Sequence, residues 1–189
     1  MSFRVLVIPE DPTYNGYIVK PLAERMLAEA GKTQARVVLL TNPKLGGIEQ
    51  AKDAIRNRLV VAYRHFDLWL FLPDADRAGG LDDLEKQMTT QGVMLLCCAT
   101  GPEVEAWLLA GHHDKLDCGW KEVRTHPRLK EDLFEPFLAR HGDPRRAGGG
   151  RDLLMQTTLR NYHGLLELCP ELKELEARLR QELAAKNST

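Results

Sequence analysis

Leu68-Trp69-Leu70-Phe71-Leu72-Pro73-Asp74-Ala75-Asp76 decides the fold: five apolar residues without interruption, a proline, and two acids one residue apart. An unbroken apolar run of this length suits a strand buried on both faces, because a strand with one wet face would alternate apolar and polar residues. Three other runs share the character: Phe3 to Ile8, Arg36 to Leu40 and Val93 to Ala99. Between them apolar residues recur at helical spacing, at Ile18, Leu22, Met26 and Leu27, then Ile48, Ala51, Ile55 and Leu59, then Leu81, Leu84 and Met88. Strand and helix alternate, which predicts an α/β, doubly wound, mainly parallel four-stranded sheet with helices on both faces.

After Gly101 no further strand-like run follows, and the chain reads as helices separated by Gly and Pro. Helices are expected over Glu103 to Ala110, Leu129 to Arg140, Asp152 to Tyr162, and Pro170 to about Ala185. The expected organisation is an α/β core over 1–110 and a C-terminal helical extension over 111–189, packed on the same domain. In the last helix Leu172, Leu175 and Leu179 form one stripe, too short for a coiled coil and suited to packing on the core. Trp107, on a helix whose Leu108 and Leu109 also seek the core, is expected to be buried rather than to stack on bases.

Composition narrows the function classes. The 189 residues carry 26 basic and 27 acidic side chains, a net charge of −1 that excludes the broad positive field of a protein coating nucleic acid indiscriminately. No apolar run approaches the roughly 20 residues of a membrane span, so no membrane partner is expected and a cytoplasmic location is the default. The four cysteines outline no disulfide framework, and His112, His113 and Cys118 match no zinc spacing.

In an open parallel sheet, ligands bind beyond the carboxyl ends of the strands. Here those ends are acidic: Glu10-Asp11 after the first, Asp74-Ala75-Asp76-Arg77 after the third, and Glu103-Val104-Glu105 after the fourth. Two carboxylates about 4 Å apart repel by roughly 4 kcal/mol at an effective dielectric of 20, so such a cluster calls for protons or a cation. Oxygen-only ligands favour Mg2+ or Mn2+ over zinc. Each acid also has an ordinary reading, Asp-x-Asp as a solvated turn and Glu103 and Glu105 as acids of a first helical turn; their conjunction at three strand ends is what favours a metal.

The pattern of a glutamate after the first strand, an Asp-x-Asp after a later strand and acids at the following helix resembles the Toprim family of topoisomerases, primases and overcoming-lysogenization-defect nucleases. The stretch Glu105-Ala106-Trp107-Leu108-Leu109 and the element Leu168-Cys169-Pro170-Glu171-Leu172 are similar to small stand-alone Toprim-like proteins often encoded with ATPases in bacterial defence loci. The resemblance covers residues 1 to about 110 and more weakly the tail. It implies Glu10 as acid/base or metal ligand, Asp74 and Asp76 as the metal pair, and Glu105, with Glu103 as its substitute, as the later acid. It departs in the first loop, where Glu-Gly-x-Thr-Glu is replaced by Glu10-Asp11-Pro12-Thr13-Tyr14; Tyr14 loses a ligand unless Asp11 supplies it.

Between Lys121 and Arg160 nine basic residues face six acidic ones, and Arg145, Arg146 and Arg151 flank the loop Gly142 to Arg151. That loop reads equally as a phosphate clamp, its glycines admitting a phosphate to the backbone, and as a flexible solvated loop. Lys20 and Arg77 lie nearer the acids in the chain, and Arg77 suits either a scissile phosphate or an ion pair with Asp74 or Asp76. The expected function is a Mg2+-dependent phosphodiesterase, most simply a nuclease on DNA or RNA with an ATPase partner. Its rivals are a non-catalytic binding or regulatory module with a degenerate site and a nucleotide phosphotransferase, for which the chain offers no Walker-type loop.

Overall fold

In the computed structural model, which describes residues 2–74 and 79–187, the two longest strands occupy the middle of the sheet. The strands are β1 (Arg4–Pro9), β2 (Arg36–Leu39), β3 (Leu68–Leu72) and β4 (Leu95–Cys97), ordered β2-β1-β3-β4 and all parallel. All of β3 and five of the six residues of β1 are buried, as unbroken apolar runs require. Alternate side chains enter different cores. Val5, Val7, Leu68, Leu70 and Leu96 point to α1 (Gly16–Glu29) and the helices after β4; Leu6, Ile8, Trp69, Phe71 and Leu95 point to α2 (Ile48–Ala54) and α4 (Leu81–Thr90).

The chain therefore leaves β1 for one side of the sheet by way of α1, and leaves β3 for the other side by way of α4. This is the doubly wound arrangement expected. β4 is shorter than the run Val93 to Ala99, because the Val93 N–H is used by the Met88 carbonyl in the turn after α4 (3.0 Å). Beyond α2 the helix widens into a π turn (Ile55–Leu59) before α3 (Val60–Ala62), and the wider turn keeps both Ile55 and Leu59 buried.

After β4 come α5 (Glu105–Ala110), α6 (Trp120–Val123), a π turn (Lys130–Phe134) running into α7 (Glu135–His141), α8 (Arg151–Arg160), α9 (Tyr162–Leu168) and α10 (Pro170–Asn187). Two of these depart from expectation. The helix expected from Leu129 is α-helical only from Glu135, and the one expected to reach Tyr162 breaks at Asn161, where the Asn161 side chain accepts from the Gly164 N–H (3.1 Å) and caps a separate α9. An asparagine satisfying nearby backbone N–H groups competes with helix continuation.

One core runs from Val5 to Leu183, so the helical half shares its interior with the sheet. Leu172, Leu175, Leu179 and Leu183 of α10 are all buried, and Trp107 is fully buried on α5. Gly111, at the end of α5, lets that helix meet α8: a Cβ there would stand 2.4 Å from the Thr158 backbone. Glu171 fastens α10, accepting from Trp107 Nε1 (2.9 Å) and from both terminal nitrogens of Arg124 (2.7 and 2.8 Å). Among the described residues no helix is long and apolar enough to cross a membrane.

Replacing Glu171 by alanine leaves the Trp107 N–H and the Arg124 guanidinium without their acceptor. We expect Glu171→Ala to cost about 2 kcal/mol, below the roughly 3–5 kcal/mol of a fully buried pair, because Arg124 and Glu171 remain about a fifth exposed. Chemical denaturation of the two proteins measures it.

Candidate functional site

The crevice at the carboxyl edge of the sheet opens between β1 and β3, adjacent strands whose onward connections diverge. Glu10 follows β1 directly and Asp74 lies two residues beyond β3, so register alone makes them neighbours. The Asp74 N–H donates to Glu10 Oε2 across a long 3.4 Å. Asp74 also bridges to Thr100 beyond β4, and the Thr100 N–H donates to the Pro73 carbonyl (3.0 Å), which carries the third strand end to the same place. Asp74 Oδ1 accepts from the Val104 N–H (3.0 Å) at the entry to α5.

Glu105, the first residue of α5, is 2 % exposed, and its Oε1 has no hydrogen-bond donor. Lys130 Nζ stands 3.7 Å away, near enough to attract it and too far for a hydrogen bond. The Lys130 backbone N–H instead donates to Glu103 Oε2 (2.8 Å), so one residue of the helical extension meets both acids. Asp11 folds into a local turn, accepting from the Thr13 N–H (2.8 Å), with its charge still felt by Glu105.

Electrostatics follow from this burial. Asp74 is pushed up to about 7, first by loss of water, then by the like charges of Glu105, Glu10 and Glu103, against the opposing Val104 N–H. Burial raises Glu105 and Glu103 too, Lys130 and Arg151 restraining the first and the Lys130 N–H the second. Desolvated acids with raised pKa values clustered at strand ends mark a candidate functional site.

Of the expected phosphate-binding residues, Arg151 feels the acids: burial lowers its pKa from the usual guanidinium value, and the charges of Glu105 and Asp11 are among those that oppose this. Its guanidinium lies over the Tyr14 ring (4.6 Å to the centroid) and the Phe134 ring (5.1 Å), and its Nη1 donates to the Gly148 carbonyl (2.7 Å). Arg145 is paired with Asp143 and Arg146 with Asp152, while Lys20 sits half-exposed beside Glu24. The glycine loop has a use other than admitting a phosphate. Gly148, at φ +69°, lies so close to α1 that a Cβ would stand 2.6 Å from the Tyr17 ring. Asp76 and Arg77 lie outside the described residues.

Among the described residues no three acidic, His or Cys groups converge closely enough to hold a metal ion. The all-oxygen donor set and the orphaned, buried Glu105 Oε1 nevertheless fit a hard divalent cation, for which Asp74 and Glu105 are the available ligands. Sequence reasoning missed Lys130, which sits 25 positions beyond Glu105 among other basic residues and carries no local signal. It also took Tyr14 only as a lost ligand, not as the platform for Arg151. Compared with known protein families, characterised proteins and solved structures, the chain finds no match.

The raised Asp74 carboxyl fixes a pH dependence. Between its ordinary value of 3.8 and about 7 the folded protein holds a proton that the unfolded chain has released, so metal-free stability falls as pH rises through that window and levels off above it. Asp74→Asn keeps the acceptor for Val104 and removes the charge. The variant is expected to show a shallower slope and a higher melting temperature at pH 7.5, read by thermal melts from pH 4.5 to 8.

Proposed function

We propose that the chain is a Mg2+- or Mn2+-dependent, Toprim-like phosphodiesterase, and within that class a nuclease working with an ATPase partner. The observation that carries this reading is the pair of desolvated acids at the sheet's switch point, Asp74 near neutrality and Glu105 with an unpaired buried oxygen. Asp74 and Glu105, with Asp76, would hold the cation. A divalent ion there supplies polarisation of a phosphoryl oxygen and a lowered pKa for bound water. Glu10, beside the Asp74 N–H, would take the proton of the attacking water. Lys130 and Arg151 put positive charge against the acids, where a phosphodiester's negative charge would otherwise be repelled. Four free cysteines, three of them buried, suit a reducing cytoplasm.

A second reading has its own observation. Where the resemblance calls for a second glutamate, Tyr14 carries the guanidinium of Arg151 on its ring, a built-in cation that favours a non-catalytic module binding a nucleic acid or partner. The two readings part in solution. The enzyme reading expects calorimetric Mn2+ binding that Asp74→Asn weakens, Mg2+-dependent cleavage of DNA or RNA, and a loss of about 10²–10⁴-fold in rate for Glu10→Gln with substrate binding retained. Absence of both Mn2+ binding and cleavage of either nucleic acid selects the binding module.

A further inference from the structure

A cavity of about 1040 Å³ lies away from the acids, along the outer edge of β4, lined by α4, by β4 with the residues leading into it, and by α10. α4 packs on one face of the sheet through Leu84 and Met88, and α10 covers the other through Leu175 and Leu179. Both helices line the cavity together with the strand edge, so the outer layers continue past β4 where the middle layer stops. The space between them has the position of a missing fifth strand, about 4.8 Å beyond the fourth.

Hydrogen bonding along that edge is incomplete at one place. The Trp69 N–H donates to the Met94 carbonyl (2.9 Å) and the Cys98 N–H to the Phe71 carbonyl (3.0 Å), so Met94 and Cys98 face β3 while Leu95 and Cys97 present their peptide groups outward. At Cys97 these groups are taken. Its N–H donates to Glu85 Oε1 (2.5 Å), its carbonyl accepts from Arg178 Nη1 (3.3 Å), and Glu85 and Arg178 pair with each other across the gap. The Val93 N–H is taken by the Met88 carbonyl. Leu95 alone on this edge has its N–H and its carbonyl directed into the cavity without a partner among the described residues. Side chains thus close one end of the slot and leave the middle open to backbone pairing.

Charge selects the occupant. Five acids line the cavity, Asp67, Asp82, Glu85, Glu174 and Glu182, against Lys86, Arg178 and Lys186. Arg178 is committed to Glu85, Lys186 donates to the Asp67 carbonyl (2.9 Å) and Lys86 lies 3.8 Å from Asp83. Asp82, Glu174 and Glu182 have no ion pair among the described residues. A second copy offering its own β4 would bring the helices that line the slot in both copies toward each other. A lone extended chain fits.

We propose that this slot takes an extended, lysine- or arginine-bearing segment of a partner protein, which pairs with the Leu95 backbone as a fifth strand and sets its cations against Asp82, Glu174 and Glu182. With the Cys97 peptide groups and the Val93 N–H already bonded, the segment pairs over about two or three residues opposite Leu95, roughly 7–10 Å of extended chain. The inference stands apart from the chemistry proposed for the acids.

The test uses the full chain and a capped peptide of four Lys-Val repeats. Saturable binding by calorimetry at low salt is expected, with slowed hydrogen exchange at the Leu95 amide and no change at Cys97, which is already bonded. A peptide N-methylated at alternate residues, its Glu-Val counterpart, and the Glu174→Gln/Glu182→Gln double variant are each expected to bind about tenfold more weakly, or worse. The proposal is overturned by absence of binding, by equal binding of the N-methylated or acidic peptide, or by binding that leaves Leu95 exchange unchanged. A concentration-dependent dimer in sedimentation that protects Leu95 without peptide would assign the edge to a second copy and equally sink it.

Discussion

The parallel pairing of β1 with β3 is the constraint from which the rest follows. These are the two longest strands and are buried almost throughout, at the centre of the sheet where both faces are covered. Their onward connections leave in opposite directions, and two neighbouring strand ends with diverging connections leave a crevice between them. Glu10 and Asp74 occupy that crevice because they are the residues that come next, and α5 is delivered beside them by the strand on the other flank of β3.

The crevice is held in electrostatic tension. Burial and mutual repulsion both work against charge on Asp74, Glu103 and Glu105, and the cations that relieve them, Lys130 and Arg151, come from the helical half of the chain. Relief is partial, since Lys130 stops short of a hydrogen bond and Arg151 spends its face on Tyr14 and Phe134. A stretch ending at residue 110 would keep the acids and lose what moderates them. The helical half is part of the site as well as part of the core.

The strands and the acids were legible because each depends on a short stretch of chain. An unbroken run such as Leu68 to Leu72 states its own burial, and the residue after a central strand can only stand at the sheet's edge. Lys130, the Tyr14–Arg151 contact and the Glu85–Arg178 pair were not legible, because each joins residues that only the completed fold brings together. The break at Asn161 turned on a local choice, since the same side chain is neutral within a helix and favourable as a cap, and three-dimensional packing decides which. Within the glycine run, Gly148 and Gly150 also answer a demand that a local pattern does not state, close approach to Tyr17 and to the Asp143 backbone.

The shared core has a consequence for how the protein is made. The sheet face bearing Val5, Val7, Leu70 and Leu96 is finished by Leu172 to Leu183 of α10. About 90 residues separate the end of β4 from the end of α10, on the order of 5–20 s of ribosomal elongation. For that interval a strand-rich, strongly apolar surface is covered by α1 but lacks the share that α10 contributes. The nascent chain is therefore a natural client for chaperones that hold exposed hydrophobic segments, and its yield in a cell should respond to translation speed over the second half of the message.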